Sequence, residues 1–123
     1  MKPEIENWLE QAKRDLQTAR HSFQSRDFYA SVFWCQQAVE KGLKALYMKS
    51  FGELWRIHDL VKLAREVNAP EEIIFKCAQL NPIYVVVRYP ESDELPAEKV
   101  KKADAEQMIL FAVEVLRWVA KKL

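Results

Sequence analysis

The chain has 123 residues, half of them hydrophobic and 30% charged, which is the balance of one soluble globular domain spanning residues 1–123. Its net charge of +1 is too small to indicate a nucleic-acid partner by itself. No apolar run approaches the roughly 20 residues that a membrane-spanning helix needs. Residues 1–25 are charged throughout and do not read as a signal peptide, so we predict a cytoplasmic protein with no membrane partner.

Apolar residues recur at helical spacing in the first segment, from about residue 4 to residue 25. Pro3 suits the first turn of this helix, and Glu4 and Glu6 lie near the positive end of its dipole. Only a couple of residues around Arg26 separate it from the next helix, for which Asp27 is the predicted N-cap. So short a link predicts an antiparallel helical hairpin.

The second segment, residues 27–49, is apolar on more than one side and is predicted to be the central helix of a bundle. An apolar arc wider than about 100° needs neighbours on two sides. Lys41 and Lys44 fall on the polar side of this helix, where a solvated face is the simplest explanation. The two apolar stripes are formed by Phe28, Val32, Cys35, Val39, Gly42, Leu43 and Leu46, and by Ala30, Phe33, Trp34, Ala38 and Ala45.

The remaining segments complete an all-α, up-and-down four-helix bundle with one additional short helix. Gly52 is suited to end the central helix, and a short helix follows over residues 58–67. A helix kinked near Pro82 is predicted over residues 70–89. Its β-branched part, residues 83–87, would form a strand only by leaving backbone groups unpaired, so a helix is favoured. A polar loop over residues 91–101 precedes the last helix, which is under way by residue 103 and reaches residue 122.

Few residues point to catalytic or metal chemistry. The two histidines, His21 and His58, belong to no metal-ligand cluster, and two glycines ten residues apart cannot form a phosphate-binding loop. We therefore predict no metal and no cofactor. Cys35 and Cys77 lie among apolar residues on predicted helices and are predicted to be free thiols.

Two short motifs are candidates for a binding site. In His58-Asp59-Leu60, Asp59 caps the short helix and His58 bonds to a neighbouring element, or else His58 contacts phosphate or donates a proton. In Arg88-Tyr89-Pro90, the arginine makes a two-pronged contact with phosphate or carboxylate, or else it forms a structural ion pair above Tyr89. The four tryptophans either fill the core or lie partly at a subunit interface.

Several of these motifs together resemble the HEPN domain family, and the resemblance covers nearly the whole chain. The matching residues are Trp8, Ala12 and Asp15-Leu16; Asp27-Phe28-Tyr29-Ala30; Gln37-Ala38-Val39-Glu40-Lys41-Gly42-Leu43-Lys44-Ala45-Leu46; His58-Asp59-Leu60-Val61-Lys62-Leu63; Arg88-Tyr89-Pro90; and Ala103 and Ala112. The resemblance implies an up-and-down helical bundle that is usually a dimer. It also implies pairing with a small nucleotidyltransferase in a two-component module.

Some members of that family are RNA-cleaving toxins, and others are thought to bind nucleotides or to serve as substrates of the partner enzyme. The RNase members carry an arginine followed, after four to six residues, by a histidine. Here Arg88 matches the arginine, whereas Asp93, Glu94 and Leu95 stand where the histidine should be. An RNase of this kind needs a group that transfers a proton at the scissile phosphate, and a carboxylate at that place would repel the phosphate instead.

These observations predict a non-catalytic HEPN protein of a toxin–antitoxin-like module that forms a homodimer. It would bind a nucleotide, or a small nucleotidyltransferase partner, through a polar cleft. Arg88 would contact phosphate, with Tyr89, His58, Lys41 and Lys44 as weaker candidates. One alternative is a metal-independent RNase toxin that uses Arg88 with another residue such as His58 across the dimer. Another is a purely structural protein-interaction module.

Overall fold

The computed structural model describes residues 1–82 and 95–123, and these residues form an all-helical bundle, as the sequence predicts. The predicted continuation of a helix through residues 83–89 lies outside the described residues. Within the segment predicted to be a polar loop, four residues form a short helix. The helices are α1 (Pro3–Gln24), α2 (Phe28–Phe51), α3 (Leu60–Glu66), α4 (Glu71–Leu80), α5 (Pro96–Lys99) and α6 (Lys102–Lys122).

Helices α1 and α2 form the predicted antiparallel hairpin, joined by three residues. Arg26 adopts a left-handed backbone conformation with φ of 64°, which turns the chain sharply. The backbone N–H of Asp27 donates to the carbonyl oxygen of Ser22 at 2.8 Å and closes the turn. Asp27 occupies the predicted N-cap position, although its side chain makes no capping hydrogen bond. A buried hydrogen bond of 2.8 Å from Ser31 Oγ to the carbonyl oxygen of Ala19 ties the two helices together.

Helix α2 is the central element, as predicted from its wide apolar arc, because α1, α3, α4, α5 and α6 all pack against it. More than half of its 24 residues are buried. Cys35 of α2 and Cys77 of α4 are both fully buried in the same core cluster, and both are free thiols, as predicted. Burial raises the pKa of each thiol to about 12.

A pair of hydrogen-bonded side chains joins the start of α3 to the end of α4. Asp59 Oδ1 caps α3, as predicted, by accepting from the backbone N–H groups of Val61 and Lys62 at 3.0 and 3.2 Å. It also accepts from Asn81 Nδ2 at 3.0 Å, while Asn81 Oδ1 accepts from the backbone N–H of Leu60 at 2.8 Å. Burial alone would raise the pKa of Asp59, but these hydrogen bonds outweigh it and lower the pKa.

The ends of α2 and α6 meet at one pole of the bundle. Gly52 ends α2 in the left-handed conformation predicted for it, with φ of 78°. Lys49 Nζ donates to the carbonyl oxygens of Lys122 and Leu123, at 3.3 and 2.8 Å, and so satisfies the end of α6. Among the described helices, none is long and apolar enough to cross a membrane.

All four tryptophans are partly buried at the edges of core clusters, and a place for any of them at a subunit interface stays a prediction.

Helices α2 and α6 pack closely at Gly42. A β-carbon built on this glycine would overlap the Cδ2 atom of Leu116. We expect Gly42→Val to lower the free energy of unfolding by about 1–3 kcal/mol, because the larger side chain overpacks this crossing. Urea unfolding followed by circular dichroism measures the change. Ala120→Val, at an exposed position of α6, is the control and should cost only about 0.5 kcal/mol. Equal stability of both variants would contradict the observed helix spacing.

Candidate functional site

One side of α2 carries polar side chains that lie between α1 and the segment leading into α3. Their spacing of three and four residues places them on the same side of the helix. We call this set of residues the α2 polar face. Most of it is covered by neighbouring elements, since Glu40 and Lys44 are each only 5% exposed and Gln36 is fully buried. The α2 polar face consists of Gln36, Gln37, Glu40, Lys41 and Lys44.

Glu40 is the centre of the polar contacts on this face. Its Oε2 atom lies 3.0 Å from Lys44 Nζ, one helical turn further on. Gln36 Nε2 donates to Oε1 at 3.3 Å, and His58 Nδ1 lies 3.1 and 3.2 Å from the two carboxylate oxygens. A buried carboxylate is stable only when its charge and lone pairs are satisfied, and three neighbours satisfy this one.

Lys41 belongs to a second pair, formed between α2 and α1. Its Nζ makes an ion pair with Asp15, which is only 2% exposed. Gln11 Nε2 donates to Asp15 Oδ1 at 2.9 Å and holds that carboxylate from the same helix. Each of the two lysines also lies beside an indole ring. Lys41 Nζ is 6.0 Å from the centre of the Trp34 ring, and Lys44 Nζ is 5.9 Å from that of Trp8.

The interpretation of Lys41 and Lys44 as part of a solvated face is therefore wrong. Lys44 is buried with Glu40, and Lys41 is only 22% exposed at its side chain. The physical reason is that α1 lays Trp8 and Asp15 against this side of α2. The spacing of polar residues identifies a polar side of a helix, but it does not show what packs over that side.

The structure brings Lys44 and His58 to the same carboxylate and leaves Lys41 in the neighbouring pair. His58 contacts α2, a neighbouring element, as its structural interpretation predicts, and its side chain is 57% exposed. A phosphate contact by His58, Lys41 or Lys44 stays a prediction. The other predicted site residues, Arg88 and Tyr89, lie outside the described residues.

The charges on the described part of this face compensate each other. Lys41 is paired with Asp15 and Lys44 with Glu40, so neither ammonium group presents an uncompensated charge to an incoming anion. Within residues 1–82 and 95–123, no three His, Cys, Asp or Glu side chains are grouped closely enough to hold a metal ion. The arrangement can orient His58 and can offer polar contacts. A strong phosphate contact would have to come mainly from elsewhere, such as Arg88.

This all-helical fold, whose buried central helix carries one polar face, is that of a HEPN domain. The chain belongs to the HEPN domain family, whose profile matches residues 5–123. The resemblance seen in the sequence motifs is thereby confirmed.

Relatives agree with that assignment in fold and in sequence. The crystal structure of TT1696 from Thermus thermophilus superposes with a TM-score of 0.93 at 28% identity, over 99% of this chain and 100% of that one. An archaeal HEPN homologue, ST0689, has a TM-score of 0.83 at 32% identity, over 98% of each chain. A relative from Methanocaldococcus jannaschii named "Putative toxin MJ1304" is 31% identical, over 89% of this chain and 81% of its own length.

Sequence reasoning did not single out Glu40, Asp15 or Gln36 as members of the site. The sequence does contain a signal for Glu40, because Gln36, Glu40 and Lys44 follow one another at intervals of four residues. A Glu followed four residues later by a Lys is typical of an ion pair within a helix. For Asp15 the sequence holds no comparable signal, since its partner comes from another helix.

The buried pair can be tested against an exposed pair of the same kind. Lys44→Met leaves the buried Glu40 without its ammonium partner, and we expect the free energy of unfolding to fall by about 3 kcal/mol. Lys13→Met is the matched control, because Lys13 pairs with Glu10 at 3.2 Å with side chains 57% and 66% exposed. The control should change stability by less than about 1 kcal/mol. Urea unfolding of both variants gives the comparison, and equal effects would contradict burial of the Glu40–Lys44 pair.

Proposed function

We propose that this chain is the HEPN component of a toxin–antitoxin-like module, in which it dimerises and binds a nucleotide, a small nucleotidyltransferase partner, or both. In this proposal it does not cleave RNA. The observation that carries the module is the likeness to the M. jannaschii relative whose name includes the word toxin, which extends over 89% of this chain.

The α2 polar face supports the binding part of the proposal. It gathers Lys44 and His58 around one carboxylate and places Lys41 next to them, so three of the five candidate residues share one region. Because the lysines are already compensated, they serve as secondary contacts that favour a polar ligand. The primary phosphate contact falls to Arg88, whose guanidinium matches phosphate in a two-pronged geometry.

The non-catalytic part of the proposal depends on the residues after Arg88. Asp93, Glu94 and Leu95 occupy the places of the histidine in the RNase motif. Leucine cannot transfer a proton, an ordinary carboxylate is ionised at neutral pH and has no proton to donate, and its charge would repel the scissile phosphate. In this proposal Arg88 therefore binds phosphate and, without the motif histidine, does not take part in catalysis.

Calorimetry with ATP tests nucleotide binding directly. We expect the wild-type protein to bind ATP and Arg88→Ala to bind it about 10- to 100-fold more weakly, which is the effect of losing charged hydrogen bonds. Arg14→Ala, on the exposed surface of α1, is the control and should bind as the wild type does. A second titration uses the nucleotidyltransferase encoded beside this chain, if one is present.

The other results of these two titrations would contradict the proposal or identify a different function. No binding of ATP or of the nucleotidyltransferase by folded wild-type protein contradicts the proposal. Partner binding that survives Arg88→Ala, together with no response to ATP, identifies a purely structural interaction module instead.

A second candidate function, a metal-independent RNase, is favoured by the contact between His58 and Glu40. A buried carboxylate that holds one nitrogen of an exposed imidazole orients the ring, as in enzymes that use histidine for proton transfer. In that contact His58 Nδ1 lies 3.1 Å from Glu40 Oε1. In this alternative His58 would act with Arg88, each contributed by a different protomer of a dimer.

Incubation of the purified protein with RNA separates the two functions. The leading proposal predicts no cleavage above the background of the Arg88→Ala variant. The RNase alternative predicts cleavage that falls by a factor of about 100 or more in His58→Ala, the usual effect of losing a general acid or base. His21→Ala is the matched control, because His21 is exposed on α1. Cleavage lost in Arg88→Ala and His58→Ala but kept in His21→Ala would overturn the non-catalytic proposal.

A further inference from the structure

A groove beside the α2 polar face has a lining that suits a flat, hydrogen-bonding ring. It has a volume of about 300 Å³ and is lined by Asn7, Trp8, Gln11 and Lys41. That volume is at the lower end of the range for small-molecule sites, which is enough for one ring system. Three of these residues come from two adjacent turns of α1, with Gln11 one turn beyond Asn7 and Trp8, and the fourth comes from α2.

Trp8 forms a firmly held wall of this groove. Its ring packs against the buried cluster of Ile5, Ala45 and Met48, so its apolar contacts fix its position. Lys44 Nζ lies 5.9 Å from the ring centre and adds a cation–π contact. A partly buried indole that is anchored in this way offers a ready surface on which another aromatic ring can stack.

The polar side of the groove is also held in place. Gln11 Nε2 donates to Asp15 Oδ1 at 2.9 Å, and Asp15 in turn holds Lys41. With one N–H of Gln11 bonded to Asp15, its amide still offers a ligand the carbonyl oxygen as an acceptor and the second N–H as a donor. Asn7 adds an exposed amide that can donate and accept.

We propose that this groove is the subsite for the base of the bound nucleotide, with the base stacked on Trp8 and its polar edge directed to Asn7 and Gln11. The inference rests on the proposed function and adds to it the place where the base binds. A nucleobase fits the lining better than a phosphate does. Lys41 is compensated by Asp15, so the groove offers an aromatic surface and amides rather than net positive charge.

The test compares ATP with tripolyphosphate, which has the phosphate chain and no base. We expect wild-type protein to bind ATP at least 10-fold more tightly than tripolyphosphate. In Trp8→Leu, which keeps an apolar side chain against Ile5, Ala45 and Met48, ATP binding should fall about 5- to 100-fold and approach that of tripolyphosphate. Trp8→Phe restores an aromatic ring and should retain most of the affinity.

Tryptophan fluorescence supplies a second measurement that does not depend on the leucine variant folding. ATP should quench the wild-type emission through Trp8, and this quenching should be lost in Trp8→Phe while binding persists. Trp118→Phe, on α6, is the control and should keep the quenching.

The possible failures are distinguishable. If wild-type protein binds ATP but Trp8→Leu binds it equally well, or if Trp8→Phe keeps the full quenching, only the base subsite is overturned. If wild-type protein binds no ATP at all, nucleotide binding itself is contradicted and the subsite falls with it.

Discussion

The buried ion pair between Glu40 and Lys44 is the interaction on which the packing of the neighbouring elements depends. Two charges lie on a helix that is otherwise packed on most sides, and each would be strongly destabilising without the other. Gln36 and His58 are the other two side chains within hydrogen-bond distance of the Glu40 carboxylate. The Trp8 ring lies beside the Lys44 ammonium group. The position of α1 and that of the segment before α3 are therefore both linked to this pair.

The same pair explains why the described site is polar yet nearly neutral. A buried carboxylate holds His58 at the surface, while the lysines that a phosphate would attract are already occupied. Such a site favours recognition through shape, stacking and hydrogen bonds over attraction by charge. This is consistent with a binding role in which a single arginine, Arg88, supplies the charged contact. The same carboxylate orients His58, and an oriented histidine is the feature on which the RNase alternative depends.

The sequence predicts the longer helices well because each has a repeating apolar stripe, whereas the four-residue α5 has none and lies in a segment predicted to be a loop. The predicted limits of α1, at residues 4 and 25, and of α6, at residues 103 and 122, differ by about one residue from the observed ones. The capping role of Asp59 and the terminating role of Gly52 could also be predicted from the sequence, because each residue acts on the end of its own helix.

The composition of the site was harder to predict, and the reason is physical. The burial of Lys44 and the pairing of Lys41 with Asp15 depend on where α1 lies against α2, which is a property of helix packing and not of spacing along one helix. The groove beside Trp8 follows from the same crossing. From the sequence, Trp8 is predicted only as a core residue, because its place beside the amides and Lys41 depends on how α1 packs against α2.

The two thiols of the core have a practical consequence for following the motions of this protein. Cys35 and Cys77 come from different helices but lie in one cluster, and burial raises the pKa of each to about 12, so almost no thiolate is present at neutral pH. A thiol-labelling reagent can reach either sulfur only when the bundle transiently opens. The native chain thus carries two built-in reporters of opening, and the ratio of their labelling rates distinguishes local release of α4 from cooperative separation of the whole core.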